Sequence, residues 1–512
     1  MSVLISDVEE RHLDYLQDES RMRGCAQKIA FPRNADEVRQ VLDFSRKNRM
    51  PVTVQGARTG IAGAAVPAEG LILNMSKMDR ITGLRQEGEH FFLEVEPGVL
   101  LNDLKEGLAS KRFDTEGWTD GSKEALGNLQ KGDIFRFLPD PTETTASIGG
   151  MFGCNAKGLS GYRYGRMSDY TEQITFVNAD GHEWRIPRGR FLAEEAGCLL
   201  PDGFLLPGLP EKPPYPLTMT RGEDLIDLIA GSEGMLGVVT SLELRLEKEP
   251  AECWGILFFF EEQKEAARFA GQLVQETAEA WVTAAEFFDR AALDVVEQMK
   301  GRMTSLKGIP DIPSGRNAAV YMELEAENGE AAEGLLFDLL ERFGECGGSE
   351  EDTWAASGLR EMEKFRLLRH AVPEGINNRV DEIRRELPGF VKMGADFGGA
   401  GSNLEQIVER CSKDAAEACV RAVIFGHALD LHLHVNLLPG TEDEKKRADA
   451  LMNRWADETA AAGGSLAEEN GIGKVKAGLV CSRLPAEVLE AMRTAKNHFD
   501  RDGLLNRGNM GI

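Results

Sequence analysis

Three of the eight histidines in this 512-residue chain fall within eight residues, in the segment GHALDLHLHVN. Neutral imidazole is a common ligand for transition metals, so the cluster reads as a candidate metal site. His432 and His434 are two apart and share one face of a strand, while His427 joins them only if the chain bends back. The plainer alternative is a polar strand edge with incidental histidines. A second chemistry is suggested by glycine. In GARTGIAGAAV, Gly56, Gly60 and Gly63 follow a strand and leave successive amides free to converge on an anion such as a pyrophosphate. The spacing is neither that of a Rossmann loop nor that of a P-loop, and a tight turn is the alternative. A later stretch, SIGGMFGCNAKG, adds Gly149, Gly150, Gly153 and Gly158 with small Ala146, Ser147 and Ala156 between them. Two such surfaces far apart in sequence suggest one extended anionic cofactor. Lys plus Arg total 59 against 85 Asp plus Glu, a net charge of −26. The anion must therefore be held locally, by amides and by Arg58.

Alternating elements carry these segments. FPRNADEVRQVLDFSRKN predicts a helix capped by Asn34, with Glu37 three residues on and Val38, Val41 and Leu42 on one face. PVTVQ, LILNM and FFLEVEPG read as strands, VLLNDLKEGL as a helix, and ITFVNADGHEWRI as a hairpin with an Asp-Gly turn. Seven of the twenty prolines lie between 183 and 222, which predicts a long loop. DLIDLIA then leads as a helix into GSEGMLGVVTSLELRL, where the first compositional block ends near 247. From 250 onward short strands alternate with acidic helices: LFFF, EEQKEAARFAGQLVQ, AAEFFDRAALDVVEQM, AVYMELEA and AEGLLFDLLERFGE. The pattern predicts α+β architecture, with helices stacked on an antiparallel sheet.

Composition excludes several classes. Hydrophobic residues at 42% and charged residues at 28% are ordinary for a globular protein, and 512 residues predict two or three domains. The longest apolar run, WGILFFF at 254–260, is too short for a transmembrane segment and reads as one buried strand. The acidic balance argues against nucleic acid as a partner. The eight cysteines are scattered, the closest two eight apart, so no iron–sulfur or zinc spacing exists. The N-terminus lacks the pattern of a secretory signal, which with free thiols makes the cytoplasm the expected compartment.

Six segments in order, GARTGIAGAAVP, PDPTETTASIGGMFGCNAKGLSGYRYGRMSDYTEQITFVNADG, DLIDLIAGSEGMLGVVTSLELRL, GHALDLHLHVNLLP, AEENGIGKVK and DGLLNRGNMG, resemble the FAD-linked oxidase family. That family includes D-lactate and D-2-hydroxyglutarate dehydrogenases and the glycolate oxidase flavin subunit, within the vanillyl-alcohol oxidase superfamily. The resemblance implies a two-lobed FAD-binding domain over 1–247, an α+β cap or substrate domain over 248–459, and a C-terminal segment over 460–512 returning to the FAD domain. It places the pyrophosphate loop at Gly56, Ala57, Arg58, Thr59, Gly60, Ile61 and Gly63. The rest of the FAD would lie against Pro139, Asp140, Ser147, Gly149, Gly150, Asn155, Tyr164 and Gly165, with Glu233, Gly237 and Val239 on the adenine side and Asn506 near the ring. The first loop has no histidine or cysteine for covalent attachment, so FAD is expected to be dissociable. Lys157 stands where relatives usually have glycine.

The resemblance also implies a divalent metal (Zn, Mn or Fe) on His427, His434 and Glu469, and a substrate-carboxylate clamp at Arg369. A solvated helix-face arginine beside Arg366 is the alternative for Arg369. Lys392 is a candidate second anion contact, and His370 stands where relatives tend to have glutamate. Two departures bear on function. Asn470 occupies the position of the family's catalytic histidine, and an amide cannot accept the hydroxyl proton. Leu429 and Leu431 replace a glycine and a small polar residue, which makes the site more apolar or is plain packing. His432, with Glu468 behind it, is then the candidate proton acceptor. The expectation is an FAD-dependent dehydrogenase of a D-2-hydroxy acid, passing electrons to an electron-transfer flavoprotein or a separate iron–sulfur subunit. Lost or altered 2-hydroxy-acid chemistry, with Asn470 as its mark, is one alternative, and oxidation of a larger apolar alcohol is another. The residues leave monomer and homodimer both open.

Overall fold

The computed structural model describes residues 4–141, 143–211, 213–272, 276–388, 390–399 and 403–512. Thr142 of the second glycine-rich stretch, Lys212 of the proline-rich segment and the end of the helix expected over 261–275 lie outside them. Two compact units form. The first comprises 1–158, 165–249 and 469–512, the second 159–164 and 250–468. Residues 460–468, expected with the returning segment, belong to the second unit, where Ser465 bridges Gly398.

The first unit holds two main sheets. β1 (Ile5–Asp7), β2 (Lys28–Ala30), β3 (Val52–Gln55) and β4 (Leu71–Asn74) make a four-stranded sheet in the order β1-β2-β4-β3, with parallel pairs at β2/β4 and β3/β4. Helix Ala35–Asn48 supplies the crossover from β2 to β3. Asn34 caps it by accepting from the Glu37 amide, and Val38, Val41 and Leu42 are buried as the periodicity predicts. β5 (Ile81–Glu87), β6 (His90–Val95), β7 (Phe135–Arg136), β8 (Thr171–Asn178), β9 (Glu183–Pro187) and, further on, β12 (Gly237–Lys248) form the antiparallel second sheet. Between them β10 (Cys198–Leu199) and β11 (Leu205–Leu206) are a two-residue pair within the proline-rich segment. The C-terminal segment returns to the first sheet, where the Val52 amide donates to Leu504 O at 2.8 Å and Asn506 N to Val52 O at 2.8 Å.

The second unit is built on one antiparallel sheet of β13 (Glu252–Phe260), β14 (Ala280–Asp289), β15 (Ala318–Ala326), β16 (Thr353–Ser357), β17 (Met393–Gly398), β18 (Ala422–His427) and β19 (His432–Leu437), in the order β16-β13-β15-β14-β18-β19-β17. The run AAEFFDRAALDVVEQM divides at Asp289, which ends β14 and caps helix Arg290–Lys300 by accepting from the Ala292 amide. Helices cover both faces of the sheet. Ile256, Phe258 and Phe287 join one core and Leu257, Phe259 and Phe288 the other, which is why WGILFFF is apolar without alternation. Among the described residues no helix is long and apolar enough to cross a membrane.

Candidate active site

In the first unit β3 leads directly into the first glycine loop. Gly56 leaves no room for a side chain, since a Cβ there would lie 2.1 Å from Ser147 Oγ. That hydroxyl accepts from the amides of Ala57 (3.2 Å) and Gly150 (3.3 Å), so Ser147 joins the two glycine-rich stretches. Arg58 adopts φ 65°, and its guanidinium lies 4.2 Å above the Tyr15 ring. Among the described residues none of the amides from Arg58 to Gly63 donates a hydrogen bond within the chain, and a Cβ on Gly60 would meet only open space. A run of unengaged amides beside a wall too tight for side chains fits a pyrophosphate. Gly149 packs on Pro97 and Gly158 on the Asp140 carbonyl, closures that also require glycine. Pro139 is buried and Asp140 is paired with Lys105 at 2.5 Å.

Several expected FAD contacts serve a knot behind this loop. Asn506 accepts from the Val54 amide at 2.8 Å and donates to Glu233 O at 2.7 Å, and Glu233 accepts from the amides of Ile472 (2.7 Å) and Gly473 (2.9 Å). Burial raises the Glu233 carboxyl above its usual range against those two amides. Lys474 donates to Asn509 Oδ1 at 2.5 Å, and burial, partly offset by Glu233 and Asp18, brings its pKa down to about 8. Gly237 and Val239 sit in β12 against Phe176, Asn155 accepts from the Ser168 amide at 2.9 Å, and Gly165 turns at φ 84° beside Asp169. Tyr164 belongs to the second unit, where it donates to Glu325 and accepts from Trp281 Nε1 at 3.1 Å. Lys157 is buried.

In the second unit one face of the sheet collects the polar groups. β18 and β19 form a tight hairpin that places His427 directly opposite His432, and His434 follows two residues on. One nitrogen from each of the three rings lies within 4.8 Å of the others. His432 has no exposed surface. Its Nε2 meets Asp396 Oδ1 at 2.6 Å across β17/β19, and its Nδ1 is buried without a partner. His427 Nδ1 meets Glu286 Oε1 at 2.7 Å. Three converging imidazoles, with a carboxylate behind the ring of His427, fit a divalent metal. Glu469, one residue beyond Glu468 of this unit, accepts from the Gly158 amide at 3.0 Å.

Arg369 projects from helix Leu359–Glu386 and is 4% exposed, which rules out the solvated helix-face reading. Its guanidinium meets Glu286 at 3.2 and 3.3 Å. Burial would raise the Glu286 carboxyl, but Arg369 and His427 outweigh it and bring the pKa down to about 2. One turn earlier Arg366 grips Glu323 with two bonds of 2.7 Å, and Lys392 donates to Asn377 at 2.9 Å. Glu286 and Asp396 were not among the residues singled out from sequence. The signal available was an acidic residue inside each of two apolar strands, AAEFFD and MGADFG.

The first unit thus combines a parallel-containing sheet with its glycine loops, and the second an antiparallel sheet with its histidines. Solved structures share that fold. One of p-cresol methylhydroxylase with substrate bound covers 99% of this chain and 94% of its own at a TM-score of 0.66 and 14% identity. One of alkyldihydroxyacetonephosphate synthase covers 99% and 82% at 0.64 and 12%. Residues 26–122 match the FAD binding domain and residues 255–510 the FAD linked oxidases, C-terminal domain, so the chain belongs to the FAD-linked oxidase family and is an FAD-dependent oxidoreductase. Curated relatives include a D-lactate dehydrogenase of Anaerostipes hadrus, 25% identical over 99% of this chain and 94% of that protein. The glycolate oxidase subunit GlcD of Bacillus subtilis is 26% identical over 94% and 88%.

Proposed function

We propose that the chain oxidises a D-2-hydroxy acid to the 2-oxo acid and passes the electrons to a separate carrier. The observation that carries the reading is the common face holding three imidazoles and the buried guanidinium of Arg369. When bound, dissociable FAD would supply the hydride acceptor and a divalent cation would polarise the substrate oxygens. His427, His434 and Glu469 are the proposed cation ligands. Glu469 is tethered to Glu468, whose amide donates to Asp396 O at 3.0 Å. Arg369 orients the substrate carboxylate, with Lys392 as a further cation; Glu286 accepts from Nη2 of the guanidinium at 3.3 Å, one of its five donors. His432, its Nε2 held by Asp396, offers Nδ1 to the hydroxyl proton in place of the base that Asn470 cannot be. An electron-transfer flavoprotein or an iron–sulfur subunit is the proposed acceptor, in keeping with a relative that is itself named as a subunit.

A second reading, altered chemistry or an uncharged, more apolar alcohol, is favoured by Asn470 and by the neutralisation of Arg369 by Glu286. Anaerobic mixing with a panel of D- and L-2-hydroxy acids separates the two. Bleaching of the yellow flavin by a D-acid supports the first, whereas bleaching by dithionite alone or by neutral alcohols sinks it. Metal analysis of wild type against His434→Ala tests the cation site separately, and unchanged metal content removes it.

A further inference from the structure

Glu286 has no accessible surface and sits in a strand whose neighbours are alanine and phenylalanine. One of its oxygens meets His427 Nδ1 at 2.7 Å, and its carboxylate faces the Arg369 guanidinium at 3.2 and 3.3 Å. A neutral imidazole carries one N–H and one lone pair. An acceptor at Nδ1 keeps the proton there and leaves the lone pair on Nε2, so this carboxylate selects the tautomer in which His427 ligates through Nε2. The same carboxylate offsets the charge with which Arg369 would meet an incoming anion. We infer that Glu286 is a positioning residue that couples the two halves of the site, strengthening cation binding through His427 while weakening anion binding at Arg369. This rests on the reading of the site under Proposed function.

The coupling predicts opposite signs for one substitution. Glu286→Gln keeps the shape and a carbonyl acceptor for His427 but removes the charge, so the imidazole becomes a poorer ligand while Arg369 becomes a stronger anion site. A loss of packing alone would weaken both. The test uses FAD-loaded protein, with Zn²⁺ affinity measured by competition against a chromophoric chelator. Binding of pyruvate, which has no hydroxyl, is measured on chelator-treated protein by the flavin difference spectrum. Glu286→Gln is expected to bind Zn²⁺ about 10- to 100-fold more weakly and pyruvate more tightly than wild type, with Glu286→Asp recovering part of the Zn²⁺ affinity. Zn²⁺ affinity within twofold of wild type, or pyruvate weakened together with Zn²⁺, overturns the inference. Should Glu286→Gln not fold, Glu286→Leu with Arg369→Met removes both buried charges. Its Zn²⁺ affinity should still fall, and an unchanged value overturns the inference. Wild type that binds no Zn²⁺ overturns the reading of the site itself, whereas wild type that binds and a variant that binds equally well remove only the role of Glu286.

Discussion

The Arg369–Glu286 pair is closed off from solvent, so its two members are not independent. Removing the guanidinium leaves a buried carboxylate facing His427 Nδ1 at 2.7 Å. Arg369→Met should therefore lower unfolding free energy by about 3–5 kcal/mol, read from urea denaturation; a change under about 1 kcal/mol would mean that the pair behaves as a surface ion pair. At the glycine loop the constraint is steric. A Cβ at Gly56 would fall 2.1 Å from Ser147 Oγ, the atom joining the two glycine-rich stretches. Gly56→Ala should purify colourless, and retention of stoichiometric FAD would count against the cradle. Asn470→His restores a group able to accept a proton. On a D-2-hydroxy acid turnover should rise by about 100-fold or more, the two to four decades a general base typically contributes, and an unchanged rate would mean that His432 already suffices.

Parity along the strands decides what the elements present. In β14, Glu286 points with Ala284 and Phe288 toward helix Leu359–Glu386, while Ala285 and Phe287 join the opposite core. His427, His432, His434 and Asp396 follow the same alternation, so a one-residue slip would bury them among apolar side chains. Asp289, at the end of β14, joins two elements by accepting from the amides of Ala292 (2.7 Å) and Ile424 (3.0 Å). Burial outweighs these bonds and raises its pKa from 3.8 to about 7. The folded state therefore binds this proton more readily than the unfolded chain, and the contribution to stability is lost as pH rises from about 4 through 7. Asp289→Ser keeps a capping oxygen without the charge. Its stability relative to wild type should rise between about pH 4 and 7, and a pH-independent difference in thermal melts would refute the assignment.

At the scale of the whole molecule the net charge of −26 opposes an anionic substrate. Raising ionic strength from about 10 to 150 mM shortens the Debye length from about 30 to 8 Å. The kcat/KM for a monoanionic hydroxy acid should then rise about two- to fivefold, while a fall would show that local cations dominate the approach. Much of this organisation was legible in the chain. The Asn34 cap, the strand read over 254–260, the Asp-Gly hairpin and the two glycine loops are local, written in capping chemistry, apolar runs and the conformational freedom of glycine. The histidine cluster was visible as spacing, and a hairpin brings His427 opposite His432. Sequence alone determined which residue types were available for the flavin and for the proposed cation and carboxylate, because such needs are met by short motifs. Only the tertiary structure decided which charges face each other. Glu286, Arg369, His427 and Asp396 lie on separate strands and one helix, and their pairing depends on register and burial across long stretches of chain. No local pattern encodes that Arg369 is matched by a carboxylate 83 residues away, because only a packed interior makes an unpaired charge too costly to leave alone.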